Sequence, residues 1–220
     1  MTEPLILVDN PDYVAVSKPA GWLSQASTTE KDNHLLAWCE SHLSRKLHLL
    51  TRLDRPVSGI CLLSKTQAFT RHYIHLQNTG AVTKKYIALV EGHYDQSGAV
   101  LKHSGKHDKK KRRMLIVDPS VKGSVALNSD IRKRAELDRY TALEISIASG
   151  RFHQIRSQLA AIGHPIKGDV KYGARRANKD RFIYLHAWQV LFSSMEGRDL
   201  VLTCELPKND HLWSVVQDKI

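Results

Sequence analysis

Apolar residues in this chain come mostly in short runs separated by turn formers and charge, and that limits the folds open to it. Leu5–Asp9 and Tyr13–Ser17 flank Asn10-Pro11-Asp12, a turn signal, and Lys18-Pro19-Ala20-Gly21 then breaks the pattern. Ile60–Ser64, Thr83–Val90, Leu115–Val117, Ser124–Leu127, Arg139–Ala148, Phe182–Phe192 and Leu200–Cys204 read as further strands. Within Thr83–Val90, alternation puts Tyr86, Ala88 and Val90 on one face and Ile87 and Leu89 on the other. Leu143, Ile145 and Ile147 share a face in the same way. Helical spacing appears in fewer places. Asn33 is a cap for a helix with Leu36, Cys39 and Leu43 inward, and Thr66 for one with Phe69, Tyr73 and Leu76 inward and Gly80 beyond its end. Phe152–Ile162 places Phe152, Ile155, Leu159 and Ile162 inward and stops at Gly163-His164-Pro165, and Asp210–Asp218 reads as a terminal helix. Many strands and few helices, with no internal repeat and no Gly/Ser-rich linker, predict an α+β fold. A long mixed or antiparallel central sheet flanked by helices is expected, in a single domain over residues 1–220.

At 220 residues the chain can bury a core without staples. Its three cysteines, Cys39, Cys61 and Cys204, are widely spaced, which argues against a disulfide framework or a zinc site. Cys61 and Cys204 lie among strand-like residues and read as small core side chains. The first apolar run, Leu5 to Val8, is too short for a signal peptide and lacks a basic flank, so a reducing, cytoplasmic setting is expected. Lysine and arginine number 33 against 22 aspartates and glutamates, a net charge of +11 that calls for a polyanion. The charge is clustered, at Lys102–Arg113 and at Lys167–Arg181. Such clusters attract phosphate without reading sequence, so they do not separate RNA from DNA or an anionic membrane.

Chemistry concentrates in Thr51-Arg52-Leu53-Asp54-Arg55, just before the Ile60 strand. A carboxylate between two guanidinium groups is either a nucleophile held ionised by positive charge or half of a structural ion pair. Two further segments carry polar groups that a core does not need. These are Lys84-Lys85-Tyr86 through Gly92, and Gly150-Arg151-Phe152-His153-Gln154-Ile155-Arg156 followed by Gly163-His164-Pro165-Ile166-Lys167-Gly168-Asp169. Leu185-His186-Ala187 comes late in the chain.

In this order and at these separations the segments resemble the RluA-type pseudouridine synthases. That family carries His-Arg-Leu-Asp-x-x-x-Ser-Gly, Lys-x-Tyr-x-Ala-x-Val-x-Gly, Gly-Arg-x-His-Gln-Ile-Arg, Gly-His-Pro-Ile-x-Gly-Asp and Leu-His-Ala. The opening Tyr13–Gly21 is also similar to the family's entry strand and Lys-Pro-x-Gly turn. The resemblance runs from about Leu5 to Pro207 and rests on several long motifs rather than one short pattern. It implies a cofactor-independent, metal-free isomerase that detaches a uracil at nitrogen, rotates it and rejoins it through carbon. The substrate is a structured RNA, ribosomal or transfer, and nothing demands more than a monomer or a membrane.

By the same resemblance Asp54 is the catalytic carboxylate, attacking the base or the sugar anomeric carbon, or acting as a base at the sugar. Tyr86 packs on the flipped base, Arg156 ion-pairs with Asp54, Arg52 fills the RNA stack, and Leu185 walls the uracil pocket. Arg55, His153 and Gln154 complete the substrate contacts, and Lys109, Lys110, Lys111 and Arg112 are expected in a loop holding the RNA backbone. Thr51 replaces the family's histidine, and the stretch from Gly123 to Arg139 departs from the family pattern. No small amino-terminal RNA-binding domain is expected ahead of the catalytic region. A carboxylate-dependent glycosidase and a non-catalytic RNA-binding module are the other readings. The first releases free uracil and the second shows no turnover.

Overall fold

The Asn10 side chain closes the first hairpin by accepting the backbone N–H groups of Asp12 and Tyr13, each at 2.9 Å. This is an Asx turn, the local chemistry that the Asn-Pro-Asp run predicted. The computed structural model describes residues 2–26, 33–208 and 210–219. Along the chain come β1 (Leu5–Asp9), β2 (Tyr13–Lys18), α1 (Leu35–His42), β3 (His48–Leu49), β4 (Ser58–Ser64), α2 (Gln67–Asn78), β5 (Thr83–Glu91) and β6 (Gly98–Asp108). Next are β7 (Arg113–Val117), β8 (Val125–Glu136), β9 (Tyr140–Ile147), α3 (Gln154–Ala161), β10 (Leu185–Ser193), β11 (Asp199–Thr203) and α4 (His211–Gln217). The class is α+β, as expected.

The chain folds as two compact units. The first comprises Met1–Lys84 and His186–Glu205, the second Lys85–Leu185 and Leu206–Ile220. Unit 1 holds a mixed sheet in the order β1-β2-β4-β10, with β3 added to β4 and β11 to β10. A parallel contact joins β4 to β10 through His186 opposite Ser58 and Ala187 opposite Gly59. Gly59 is required there. Its φ is +120°, and an added Cβ would lie 2.3 Å from the Ala187 carbonyl oxygen. One side of this sheet buries Val14, Val16, Cys61 and Leu63 against Leu35 and Cys39 of α1. On α2, Phe69 stacks on Tyr13 with ring centroids 4.8 Å apart, and Thr66 caps the helix by accepting the Phe69 N–H. All three cysteines are buried and free, and burial pushes the Cys39 and Cys61 thiols up to about 12.

Unit 2 holds β5-β9-β8-β6-β7, with β6 antiparallel to both β7 and β8, and β8 antiparallel to β9. Helix α3 packs against β6, β7 and β8. The buried Gln158 amide is spent on that sheet: it donates to the Leu127 carbonyl at 3.0 Å and accepts the Ser129 hydroxyl at 2.6 Å. Asp210 caps α4 by accepting the Trp213 N–H. Among the described residues, no helix is long and apolar enough to cross a membrane.

Four local expectations need correction. The α1 cap is His34, not Asn33, and its side chain makes no cap hydrogen bond. Residues Gly98–Asp108 form β6, a strand absent from the elements that periodicity predicts. Strand β8 continues to Glu136, well past the strand expected over Ser124–Leu127. Phe152 is 40% exposed rather than inward, because His153 adopts the left-handed conformation (φ 49°, ψ 27°) and α3 starts only at Gln154.

Candidate active site

In unit 1, Asp54 sits half-buried in the loop that leads into β4. The loop is tied down at successive residues. The Thr51 hydroxyl accepts the Leu62 N–H at 2.8 Å and so pins the loop directly to β4. The Ser24 hydroxyl accepts the Leu53 N–H and donates to the Leu53 carbonyl, both at 2.9 Å. Gly21 N–H donates to the Arg55 carbonyl at 2.7 Å, and Arg55 Nε returns a hydrogen bond to the Gly21 carbonyl at 3.2 Å. Asp54 closes the turn by accepting the Val57 N–H on its own carbonyl. The Arg52 and Arg55 side chains are exposed.

Behind this loop lies a group that the sequence reading passed over as part of a turn. Lys18 is fully buried, and its ammonium donates to the Trp22 carbonyl at 2.8 Å and the Pro19 carbonyl at 3.0 Å. Burial pulls its pKa down to about 8, against the opposing pull of the Cys61 thiol and the Asp54 carboxylate. A fixed positive charge therefore acts on Asp54 from within its own unit. The signal was available, as Lys18 belongs to the Lys-Pro-x-Gly turn.

In unit 2, Tyr86 is buried on β5 at 8% exposure. Leu185 is also buried, and the Leu89 N–H donates to the carbonyl of the preceding Tyr184, so Leu185 enters its strand beside β5. Arg156, on α3, makes a bidentate ion pair with buried Asp169, Nε to Oδ2 at 2.7 Å and Nη2 to Oδ1 at 2.9 Å. Its Nη1 lies 2.9 Å from His153 Nε2. A guanidinium can only donate, so Nε2 accepts and the proton of a neutral His153 sits on Nδ1. That Nδ1 then donates to the Tyr172 hydroxyl oxygen at 2.9 Å, which also accepts the Met114 N–H at 2.7 Å. Asp169 and Tyr172 thus position Arg156, and the sequence reading gave neither a role. Only the Gly-Asp pair in the motif hinted at the first. Gln154, expected at the substrate, is 3% exposed. Its amide holds Ser149, the Arg151 N–H and the Asn128 carbonyl.

The basic clusters fall in two places within unit 2. Lys109–Arg112 form the exposed turn between β6 and β7, with Arg113 already in β7. Lys167–Arg181 contributes Lys167, Arg175, Arg176 and Lys179 to a cavity of about 750 Å³ that Glu91, Arg139, Tyr140 and Tyr184 also line. The Lys167 ammonium lies 4.2 Å from the Tyr184 ring centroid and donates to Asn178 Oδ1 at 2.6 Å.

The sequence model of the RNA pseudouridylate synthase family matches residues 12–161, more than half of the chain. The chain is 30% identical over 228 residues to tRNA pseudouridine synthase C of Salmonella typhimurium, covering 94% of this chain and 86% of that protein. The chain belongs to the RluA-type pseudouridine synthase family. It is also 27% identical over 175 residues to ribosomal large subunit pseudouridine synthase D of Vibrio cholerae, covering 77% of this chain and 53% of the relative. Its fold matches the solved structure of human RNA pseudouridylate synthase domain containing 1. The TM-score is 0.79 at 21% identity, covering 94% of this chain and 86% of that one. As a pseudouridine synthase the protein is an RNA-modifying isomerase. The family match spans the Asp54 loop, Tyr86 and Arg156.

Proposed function

We propose that this pseudouridine synthase flips a uridine out of structured transfer or ribosomal RNA and isomerises it with Asp54 as the reacting carboxylate. Two relatives carry those RNA classes in their names, the Salmonella transfer RNA enzyme and the Vibrio large-subunit enzyme. The bond from the sugar to uracil nitrogen breaks, the base turns, and a bond from the sugar to uracil carbon forms. The carbon gives up its proton and the nitrogen gains one. Flipping costs a few kcal/mol of unstacking, which planar protein groups offset. Tyr86 packs on the flipped uracil, Leu185 walls its pocket, and Arg52 occupies the space it leaves. Lys109–Arg112 hold phosphate.

The observation that carries this reading is the Asp54 loop itself. Thr51, Leu53 and Arg55 are each hydrogen-bonded to a separate part of unit 1, while the carboxylate between them is only half-buried. A group that must meet a substrate atom needs that rigidity, because small displacements of a reacting group are costly in rate.

The test is pseudouridine mapping of total RNA from cells with and without the protein, followed by rescue with variants. Loss of one site, restored by the wild type, identifies the target. Asp54→Asn keeps the shape and is expected to lower kcat at least about 10³-fold with an unchanged melting temperature. Substantial pseudouridine formation by purified Asp54→Asn would remove Asp54 from the chemistry. Free uracil in the reaction would mark a glycosidase instead.

A further inference from the structure

The turn Lys109–Arg112 and the residue Phe152 stand apart in sequence, yet unit 2 joins them through rings. Phe152 is 40% exposed but not loose. One face stacks on His153 with centroids 3.8 Å apart and planes at 15°, and the exposed His107 ring lies 4.3 Å away, tilted by 43°. Inward, the series continues from His153 to Tyr172 with centroids at 5.5 Å, and the Arg156 guanidinium lies 5.1 Å from the Tyr172 ring. A ladder of planar groups therefore runs from the surface to the arginine that pairs with Asp169.

The basic turn is built at the outer end of this ladder. His107 is on β6 opposite Met114 of β7, and Asp108 stands opposite Arg113. The Lys111 N–H donates to Asp108 Oδ1 at 2.9 Å, and Lys171 Nζ donates to the Arg112 carbonyl at 3.3 Å, so the turn has a defined shape. Arg112 takes a left-handed conformation at φ 47°. The side chains of Lys109, Lys110, Lys111 and Arg112 are all exposed. Lys109 follows His107 by two positions, about 7 Å at the usual rise per residue, close to the reach from a nucleobase to its own phosphate.

We propose that His107, Phe152 and the Lys109–Arg112 turn form a nucleotide subsite that takes a nucleotide of the substrate RNA other than the isomerised uridine. The base rests against the exposed surface of the His107–Phe152 pair, and its phosphate meets the turn. The combination of aromatic faces with a cationic track is the common means of holding unpaired nucleotides without reading their sequence. This inference rests on the RNA-isomerase reading. The residue type at position 152 is central to it. A leucine would cover the start of α3 as well as phenylalanine does, whereas only a ring continues the stack.

Phe152→Ala, Phe152→Leu, Phe152→Tyr and His107→Ala are compared with the wild type on RNA prepared from cells lacking the protein. Pseudouridine formation and melting temperature are both followed. The expected result is an apparent KM raised about tenfold or more in Phe152→Ala and Phe152→Leu, with kcat within about twofold of the wild type and melting temperatures unchanged. Phe152→Tyr restores the KM, and His107→Ala raises it. A Phe152→Leu variant with wild-type KM, or a loss confined to kcat, overturns the subsite. A wild-type protein that forms no pseudouridine in that RNA overturns the isomerase reading itself, which separates the two failures.

Discussion

In unit 1 the loop carrying Asp54 is held by hydrogen bonds among hydroxyls and backbone groups, chiefly from Thr51, Ser24 and Gly21. In unit 2 Arg156 is held by a buried carboxylate, Asp169, in a two-bond ionic clamp. The two means of fixation differ in kind. If Asp54 reacts as proposed, anchoring the main chain on both sides of it places the carboxylate whatever its own oxygens bind. A buried guanidinium that must stay charged and correctly turned requires a planar acceptor, and carboxylate fits its fork. Unit 1 extends the neutral pattern to His186. Fully within the core, its Nε2 lies 3.1 Å from the Cys204 carbonyl and must donate to it, so Nδ1 accepts the Ser58 hydroxyl at 2.9 Å.

The comparison breaks first at Asp169. Asp169→Ala removes the bidentate acceptor from a guanidinium that is 5% exposed, and such a loss costs about 3–5 kcal/mol. Urea unfolding of the variant reads this directly. Arg156→Lys keeps the charge but not the fork, and is expected to fall between the variant and the wild type. A stability change below 1 kcal/mol in Asp169→Ala would mean that rings and backbone, not charge, hold Arg156, and the contrast between the units would disappear.

A second, smaller effect comes from acid. Burial lowers the pKa of His186 from its ordinary value near 6.5 to about 4. The unfolded chain takes up this proton as pH falls through 6.5, while the folded chain resists until about 4. Stability attributable to His186 is therefore constant above pH 7 and falls as the pH drops, by about 2 kcal/mol between pH 7 and pH 5. Urea midpoints at the two pH values measure the drop, and His186→Gln is expected to remove most of it. An equal drop in His186→Gln would assign the acid sensitivity to other groups and leave the neutral network of unit 1 unsupported.

What was legible in the sequence divides along physical lines. Strands β2 and β4 are legible because both faces are buried, which leaves a short apolar run bounded by turn residues, and β9 because Leu143, Ile145 and Ile147 alternate. Strand β6 escaped notice because, of its residues, only Leu101 and Gly105 are buried. In β8 the inward position 129 is a serine, satisfied by Gln158 from α3, and no periodicity scale registers a polar core residue whose partner is distant in sequence. Phe152 was misplaced for a local reason: the left-handed turn at His153 takes it off the helical repeat that begins at Gln154. The residues Asp54, Tyr86 and Arg156 stand out through the resemblance of their segments to the family's motifs. Their supports do not, because Ser24, Asp169 and Tyr172 reach them only through the fold.

The smallest predicted effect is the one that most sharpens the account of unit 1. The Thr51 hydroxyl is the acceptor for the buried Leu62 N–H. Thr51→Val preserves shape and burial but strands that donor, a loss of about 1–2 kcal/mol. Thr51→Ser retains the acceptor and is expected to stay within about 0.5 kcal/mol of the wild type. If the hydroxyl also sets the position of Asp54, Thr51→Val lowers kcat by more than its stability loss explains when measured well below the melting temperature, and Thr51→Ser does not. A Thr51→Val enzyme with a lower melting temperature but wild-type kcat would show that the hydrogen bond secures β4 alone. The placement of Asp54 would then depend on Ser24 and Gly21, whose bonds lie on either side of the carboxylate.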